Sequence, residues 1–251
     1  MKFITGFFMA WGNFITLPCP YKRWDGQLKN MMLAFLPSVG LVIGILWMAI
    51  FWLLVYLQLP VSLISFAMVF YIFVVCGFMH MDGFMDCNDA ILSRRPLEER
   101  QRILKDSTVG AFAVVTVAFL LLAWFAAMQE AIYHITYVDL LVLPVVSRGI
   151  GGMSVLTYKP IGHSQYVEDY KEPGRGKYRA AVALQMLVAI GAVIFLGRDA
   201  VKTLTCAAVI AATAFFACAY ARKQLGGMSG DIAGYTICIS ELAGILTLAI
   251  I

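Results

Sequence analysis

The stretch His80-Met-Asp-Gly-Phe-Met-Asp-Cys-Asn-Asp89 interrupts a chain that is otherwise mostly apolar. It follows directly on an apolar run, residues 61–79, that is long enough to cross a bilayer. In a helix, the i, i+4, i+7 spacing places Asp82, Asp86 and Asp89 on one face. Carboxylates that share a face repel one another unless a cation lies between them, and carboxylate oxygens suit Mg²⁺ or Mn²⁺. The stretch therefore predicts either a divalent metal site or a solvated helix start with acids near its positive end.

The composition of the chain indicates a membrane protein. Of its 251 residues, 61% are hydrophobic and 14% are charged, and the mean hydropathy is +0.83. Soluble domains are about 45–50% apolar and about 25% charged, so the composition excludes an ordinary soluble domain. We therefore expect an all-α polytopic membrane protein that forms a single integral membrane domain over residues 1–251.

Apolar runs of membrane-spanning length predict about seven transmembrane helices, separated by turns or polar segments. The N-terminal residues 1–19 lack a small-residue cleavage site and end at Pro18 and Pro20. We expect them to form an interfacial segment and not a cleaved signal peptide. The expected spans cover residues 31–57, 61–79, 109–128, 132–155, 180–196, 204–221 and 232–251.

The placement of lysine and arginine predicts the orientation of these spans. Sixteen of the 19 Lys and Arg residues fall in segments that seven spans place on one side of the membrane. Cytoplasmic loops are enriched in Lys and Arg, so we expect a cytoplasmic N-terminus, an external C-terminus and a location in the cell membrane. The polar segments then share the cytoplasmic face, and they are residues 1–30, 80–108, 157–179 and 222–231.

Two further polar segments on that face carry candidate functional groups. In Lys105-Asp-Ser-Thr-Val-Gly110, Asp106 either returns to the first three acids through a polar helical hairpin or serves as a plain helix N-cap. In Gly226-Gly-Met-Ser-Gly-Asp231, a glycine-rich turn leads into a helix N-terminus. Such a turn is either an anion site, because its free N–H groups point outward, or an ordinary interhelical loop. His80 is a candidate general base or metal neighbour.

Two charged residues lie within the expected spans. Glu241 lies about ten residues into the last span, where a carboxylate is costly and is usually functional or paired. Arg148, near the end of the fourth span, is either the partner of Glu241 or a phosphate contact. Carboxylates, glycine-backbone donors and cations on one face together favour metal-dependent transfer of a phosphate or pyrophosphate group at the cytoplasmic surface.

Four blocks of the chain, in the same order, resemble the cobalamin-5'-phosphate synthase family (adenosylcobinamide-GDP ribazoletransferases). Residues 80–89 match the family's H-x-D-G-x-x-D-x-x-D signature. Residues 15–20 resemble its T-x-L-P-x-P block, and residues 105–112 resemble its D-S-x-x-G-x-F block. Residues 226–234, with Glu241, resemble its G-G-x-T-G-D-x-x-G … E block. The resemblance therefore covers nearly the whole chain.

The resemblance implies an activity and a set of partners. In this family α-ribazole, or its 5'-phosphate, attacks the phosphate on the cobinamide side of adenosylcobinamide-GDP. GMP leaves, and adenosylcobalamin or its 5'-phosphate forms. The resemblance implies Mg²⁺ as the cofactor and the lipid bilayer as the setting. No nucleic-acid partner is expected, and the sequence leaves a homo-oligomer open.

The resemblance also assigns roles to individual residues. It implies Asp82, Asp86 and Asp89 as Mg²⁺ ligands, and it makes Asp82, Asp106 and His80 the candidate catalytic residues. Ala90 and Ser229 depart from the Gly and Thr that are common in the family, but neither departure removes a carboxylate. The segment 157–179 matches poorly, and no role is carried onto it. The residues expected to bind substrate are Gly83, Ser107, Arg148, Gly227, Gly230, Asp231 and Glu241.

Two other functions stay open from the sequence. A CDP-alcohol phosphotransferase that makes phospholipid also uses an Asp-rich membrane motif, but that motif reads D-G-x-x-A-R, and no Ala-Arg follows Asp82 here. A transporter would use intramembrane acids as ion sites. Against a transporter, most acids lie at one face and no inverted repeat is visible in the sequence.

Overall fold

The computed structural model of the protein describes residues 1–162 and 164–251. These residues form helices and no strand, with one isolated β-bridge between Pro160 and Met228. The prediction of an all-α membrane protein is confirmed. The α-helices are α1 Lys2–Phe14, α2 Lys29–Ala34, α3 Leu36–Tyr56, α4 Val61–Val74, α5 Met79–Leu92, α6 Leu97–Ile103, α7 Ala111–Ala131, α8 Val142–Thr157, α9 Val167–Tyr170, α10 Gly176–Gly197, α11 Ala200–Leu225 and α12 Gly230–Leu248; two 3₁₀ turns cover Gly26–Leu28 and Tyr137–Leu141.

Six helical segments are long and apolar enough to cross a membrane: α3, α7, α8 with its preceding 3₁₀ turn, α10, α11 and α12. Helices α4 and α5 pass the same test only as a pair, and they are bent by 81° where they meet. The prediction of about seven spans is confirmed within this range of six to seven. The expected second span, residues 61–79, was wrong at its end, because α4 stops at Val74. At about 1.5 Å per residue, α4 alone is about 21 Å long, short of a hydrocarbon core of about 30 Å.

Helix α8 lies at the centre of the bundle and positions the others. Within Tyr137–Thr157, 83% of the most apolar stretch is buried, whereas only 11% of α10 is. Helix α8 packs against α3, α10, α11 and α12. The large apolar side chains that α10 leaves exposed, such as Phe195, suit a lipid-facing helix, since lipid tails are as apolar as a protein core.

The segments that the Lys and Arg pattern places on one side of the membrane lie together at one end of the bundle. The Lys29 ammonium lies 3.3 Å from the Asp169 carboxylate, and the Gln101 amide donates to the Leu225 carbonyl at 2.8 Å. The backbone N–H of Ile161 donates to the Met228 carbonyl at 2.9 Å. We call this end the polar end; it comprises residues 1–30, 80–110, 157–162, 164–175 and 222–231.

The opposite end of the bundle is held by a separate ion pair. There the Lys202 ammonium lies 3.1 Å from the Asp139 carboxylate, and both side chains are buried. The same ammonium donates to the carbonyl of His134. This pair neutralises two of the few charges outside the polar end. Most of the other charged residues lie at the polar end, where the candidate site is.

Helices α3 and α8 touch through a glycine, and this contact gives a stability prediction. A Cβ atom at Gly40 would collide with the backbone carbonyl group of Pro144, which cannot move aside as a side chain would. Gly40→Ala should therefore destabilise the protein by about 1–3 kcal/mol, a typical cost of overpacking, and lower its melting temperature in detergent. The matched control is Gly191→Ala on α10, where a Cβ would meet nothing within 4 Å. Equal melting temperatures for the two variants would contradict this packing.

Candidate active site

The site is built on a break between α4 and α5. Gly77 and Phe78 both adopt left-handed conformations, with φ of +59° and +60°. The N–H of Gly77 donates to the carbonyl of Val74 at 2.9 Å, and that of Phe78 donates to the carbonyl of Phe73 at 3.0 Å. This pair of bonds is a Schellman motif, which ends α4 and satisfies two of its last carbonyls. The chain turns by 81° and starts α5, so that Asp82 lies in the first turn of the new helix.

The N-terminal segment closes the same break from outside. The backbone N–H of Thr16 donates to the carbonyl of Val75 at 2.8 Å. Its hydroxyl lies 3.2 Å from that oxygen and 3.3 Å from the carbonyl of Val74. A carbonyl left without a partner inside a bilayer costs several kcal/mol, so a broken membrane helix needs such partners. Residues 15–20, one of the four blocks singled out in the sequence, therefore have a structural role at the break.

Helices α5 and α12 cross at two glycines. A Cβ at Gly83 would lie 2.7 Å from the carbonyl oxygen of Asp231, and a Cβ at Gly234 would lie 2.9 Å from that of His80. Both positions therefore require the absence of a side chain for the backbones to approach this closely. Directly after these two glycines, the rings of Phe84 and Tyr235 stack with centroids 5.8 Å apart. The crossing brings the start of α12 against the acidic start of α5.

A cavity of about 160 Å³ opens at this crossing. Four of the predicted site residues line it: His80 and Asp82 from α5, and Gly230 and Asp231 from the start of α12. Helix α12 begins with an N-cap at Ser229, whose hydroxyl accepts from the N–H of Ile232 and donates to the Asp231 carboxylate at 3.2 Å. The structure thus brings together acids that are separated by about 150 residues in the sequence.

Asp86 lies one turn below Asp82 and is half-buried. The carboxylates of Asp82, Asp231 and Asp89 are all close enough to repel its charged form. Among residues 1–162 and 164–251, however, no three His, Cys, Asp or Glu side chains are grouped as a ready-made metal cage. The donor set is nevertheless the one that suits Mg²⁺, which is often held by one or two carboxylates together with waters and substrate phosphates. The residues present fit that kind of site.

Asp89 makes a contact that its spacing does not reveal. One of its carboxylate oxygens accepts from the N–H of Gly110 at 2.6 Å, and the other accepts from that of Ala113 at 2.9 Å. A Cβ at Gly110 would collide with this carboxylate, which explains a glycine there. Asp89 therefore caps the positive end of α7 and ties it to α5. Its assignment as a metal ligand stays a prediction.

Asp106 and Ser107 do not line the cavity; both are exposed on the surface of the polar end. The Asp106 carboxylate accepts from the N–H of Thr108 at 3.0 Å and from its hydroxyl at 2.8 Å. These backbone and side-chain hydrogen bonds lower the pKa of Asp106, which makes it a weaker base. The polar hairpin returns Gly110 to Asp89 and leaves Asp106 outside. Catalytic and substrate-binding roles for Asp106 and Ser107 stay predictions.

Gly227 lies in the glycine-rich turn but not in the lining of the cavity. A Cβ there would lie 2.8 Å from the backbone nitrogen of Ile161. The N–H of the next residue, Met228, donates to the carbonyl of Lys159 at 2.9 Å, in the β-bridge between Pro160 and Met228. In the structure this glycine allows the turn to pair with the chain that follows α8.

Arg148 and Glu241 are buried deep in the bundle, with 1% and 3% of their side chains exposed. Their side chains form an ion pair, which is one of the two alternatives that the sequence left open for Arg148. The hydroxyl of Ser147 donates to the same Glu241 oxygen at 2.7 Å, and the Arg148 guanidinium donates to the sulfur of Cys76 at 3.2 Å. Cys76 lies in the break between α4 and α5, so the pair reaches the break from inside the bundle. Substrate-binding roles for both residues stay predictions.

Three polar residues that line the cavity were not predicted from the sequence: Asn13 of α1, and Gln165 and Tyr166 before α9. Tyr166 is buried, and the amide nitrogen of Gln165 would lie 4.0 Å from a Cβ at Gly230. The segment that carries Gln165 and Tyr166 is held by Asn30, whose amide donates to the carbonyl of Asp169 at 3.1 Å. None of these residues belongs to a spacing pattern, so only the packing of the helices reveals them.

The buried ion pair gives a second stability prediction. Glu241→Gln should leave the Arg148 charge buried without a counterion, at a cost of about 3–5 kcal/mol, and should lower the melting temperature markedly. The double variant Arg148→Met with Glu241→Met removes both charges and should recover much of that loss. Glu98→Gln, which changes an exposed acid on α6, is the control and should have no effect. A Glu241→Gln variant as stable as this control would show that the pair contributes nothing.

Comparisons with known proteins show to which family the chain belongs. The family model described as cobalamin-5-phosphate synthase matches residues 6–249. An adenosylcobinamide-GDP ribazoletransferase of Clostridium perfringens (strain 13 / Type A) is 35% identical over 244 residues, which is 97% of this chain and 96% of the relative. One of Clostridium botulinum (strain Alaska E43 / Type E3) is 35% identical over 245 residues, 96% of each chain. One of Halalkalibacterium halodurans is 29% identical over 244 residues, 95% of this chain and 93% of the relative. No solved structure matches the chain. The chain belongs to the cobalamin-5-phosphate synthase family.

Proposed function

We propose that this chain joins adenosylcobinamide-GDP to α-ribazole, or to its 5'-phosphate, in a late step of cobalamin biosynthesis. Its relatives bear the name of this transferase and match nearly the whole chain. The observation that carries the proposal is the meeting of Asp82 and Asp231 at one cavity, because these acids come from two different family blocks. Acids placed in this way suit the binding of a diphosphate through a cation.

The reaction is a transfer of a phosphoryl group between oxygen atoms. A hydroxyl oxygen of the ribazole attacks the phosphorus that is bonded to cobinamide, and a new P–O bond forms. The P–O bond to the GMP phosphate breaks, and GMP leaves with the electron pair of that bond. The hydroxyl proton is lost to a base. The products are adenosylcobalamin, or its 5'-phosphate, and GMP.

Different groups of the cavity would bind the diphosphate, stabilise negative charge and accept the hydroxyl proton. The carboxylates of Asp82 and Asp231, supported by Asp86, would hold a cation, and that cation would neutralise the charge of the diphosphate. The backbone N–H groups at the start of α12, next to Gly230, face the same phosphates and stabilise negative charge. His80 lines the same cavity, and we propose that its imidazole accepts the hydroxyl proton, although burial lowers its pKa and makes it a weak base in the protein alone. Positioning and electrostatics supply most of the catalysis in such a transfer.

Mg²⁺ is the cation that we propose for this site. Asp82 and Asp231 would hold it, and when bound it would neutralise charge on the diphosphate and on the departing GMP. The hard carboxylate oxygens favour Mg²⁺ over softer metals. Cys87, next to Asp86, is buried, and thiolates prefer softer ions, so we assign it no part in binding Mg²⁺.

We further propose that the polar end lies on the cytoplasmic face of the cell membrane. Sixteen of the 19 Lys and Arg residues lie in the segments 1–30, 80–108, 157–179 and 222–231. Such a bias orients membrane proteins with that side in the cytoplasm. The substrates are large and charged, so a site that opens to the cytoplasm spares them a passage through the bilayer.

Loss of Asp82 tests the proposed reaction. In lipid nanodiscs with adenosylcobinamide-GDP and α-ribazole, the wild-type protein should release GMP in equal amounts with the corrinoid product, and only when Mg²⁺ is present. Asp82→Asn should reduce that rate roughly 100-fold or more, because several kcal/mol of charge stabilisation is lost. It should also weaken Mn²⁺ binding measured by electron paramagnetic resonance. Glu98→Gln is the matched control at the same end and should keep both signals. Normal GMP release from Asp82→Asn would refute the assignment.

Thr16 tests whether the break positions the acids. Thr16→Val keeps the shape of the side chain and the backbone hydrogen bond, but removes the hydroxyl that faces Val74 and Val75. We expect kcat to fall about tenfold with little change in KM, because a small shift of the first turn of α5 misplaces Asp82. Thr16→Ser retains the hydroxyl and should retain the rate. Wild-type kcat in Thr16→Val would show that the hydroxyl does not position the site.

A further inference from the structure

A second cavity, of about 430 Å³, lies beside the acid-lined cavity at the polar end. The two cavities share one lining residue, Asn13 of α1. The second cavity is formed where residues 19–24 fold back over α1. Neither the four family blocks nor the proposed reaction assigns it a role.

The sizes of the two cavities show why a second one is needed. The acid-lined cavity measures about 160 Å³. Sites for small molecules usually measure about 300–1,000 Å³, so this one is large enough for a diphosphate but too small for the guanosine and the cobinamide attached to it. If the proposed function is correct, the bulk of each substrate must lie outside the acid-lined cavity. The second cavity is the neighbouring space, since the two cavities share Asn13 in their linings.

The chemistry of the second cavity suits one class of ligand. Three aromatic side chains line it, those of Phe8, Tyr21 and Trp24, together with the cations of Lys22 and Arg23. The described residues that line it include no Asp or Glu. Aromatic rings stack on planar bases, and cations bind phosphate oxygens. A ligand with a planar base and a phosphate group satisfies both sets of side chains.

The wall of the cavity is held in place by local hydrogen bonds. The indole N–H of Trp11 donates to the carbonyl of Leu17 at 3.2 Å. The thiol of Cys19 lies 3.5 Å from the carbonyl of Phe8 and 3.3 Å from that of Tyr21. The rings of Phe8 and Tyr21 are in contact, with centroids 5.6 Å apart. The fold-back is therefore organised before any ligand binds, which reduces the entropy lost on binding.

We propose that this second cavity binds the nucleoside phosphate part of a substrate. The base stacks on Trp24 and Tyr21, its phosphate contacts Lys22 and Arg23, and the reacting diphosphate extends past Asn13 to Asp82. This inference rests on the proposed function. Two substrates carry this chemistry: the guanosine nucleotide that leaves as GMP, and α-ribazole 5'-phosphate, which has a benzimidazole base.

Direct binding distinguishes these two sources. Equilibrium dialysis of the protein in nanodiscs, up to millimolar ligand, would measure the affinity for GMP and, separately, for α-ribazole 5'-phosphate. We expect Trp24→Ala, and independently Lys22→Gln with Arg23→Gln, to weaken the binding of one of these ligands about tenfold or more. The ligand that is weakened is the occupant of the cavity, and the other should bind as in the wild-type protein.

Two matched controls separate the cavity from general effects. Trp52→Ala removes a tryptophan of similar exposure on α3, 54% against 60% for Trp24. Arg94→Gln with Arg95→Gln removes two exposed cations at the same polar end. Neither control should change the affinity for either nucleotide. Melting temperatures of all variants would confirm that they are folded.

Several results would overturn the inference. These are absence of binding of both nucleotides to the wild-type protein, wild-type affinities in both cavity variants, or equal losses in the controls. If the cavity variants instead lose only their association with vesicles that contain anionic lipid, the residues contact headgroups and the inference is wrong. These assays measure binding without turnover, so a failure here leaves the Asp82→Asn test of the proposed function intact.

Discussion

The structure depends on satisfying the backbone where an apolar helix breaks at Gly77 and Phe78. In a bilayer each free carbonyl must find a partner within the protein, so the break determines what has to surround it. The Schellman bonds provide two partners, and Thr16 provides others from the N-terminal segment. From within the bundle, Arg148 donates to Cys76 while it is paired with Glu241 on α12. Three distant parts of the chain therefore meet at the turn that directs Asp82.

The distribution of charge follows from the same constraint. Charges within the bundle are costly, and the structure keeps them in close ion pairs, such as Arg148 with Glu241 and Lys202 with Asp139. Most of the other acids lie at the polar end, and there Asp82, Asp86 and Asp231 come close together where α5 and α12 cross at Gly83. Their mutual repulsion is unfavourable in the protein alone. Such a site favours the binding of a cation, because the cation relieves this repulsion. A diphosphate that carries a bound cation would provide one.

The sequence predicts most of the architecture because the bilayer imposes simple rules. Apolar length locates the spans, and the Lys and Arg pattern groups the polar segments that the structure places at one end. The break at Gly77 was not predictable, because residues 61–79 are apolar throughout and hydropathy does not report backbone conformation. The contribution of Gln165 and Tyr166 depends on how the segment before α9 packs against α12. Such packing leaves no periodic signal in a single sequence.

The three acids of the opening motif also show where spacing alone is insufficient. Helical spacing places Asp82, Asp86 and Asp89 on one face, and it suggests three equivalent ligands. In the structure both oxygens of Asp89 accept hydrogen bonds from the start of α7, so this acid is already engaged. Asp231, from the other end of the sequence, instead lines the cavity with Asp82. The motif thus combines two tasks on one helix: its first acid faces the cavity, and its last one fixes the neighbouring span that holds the helix in place.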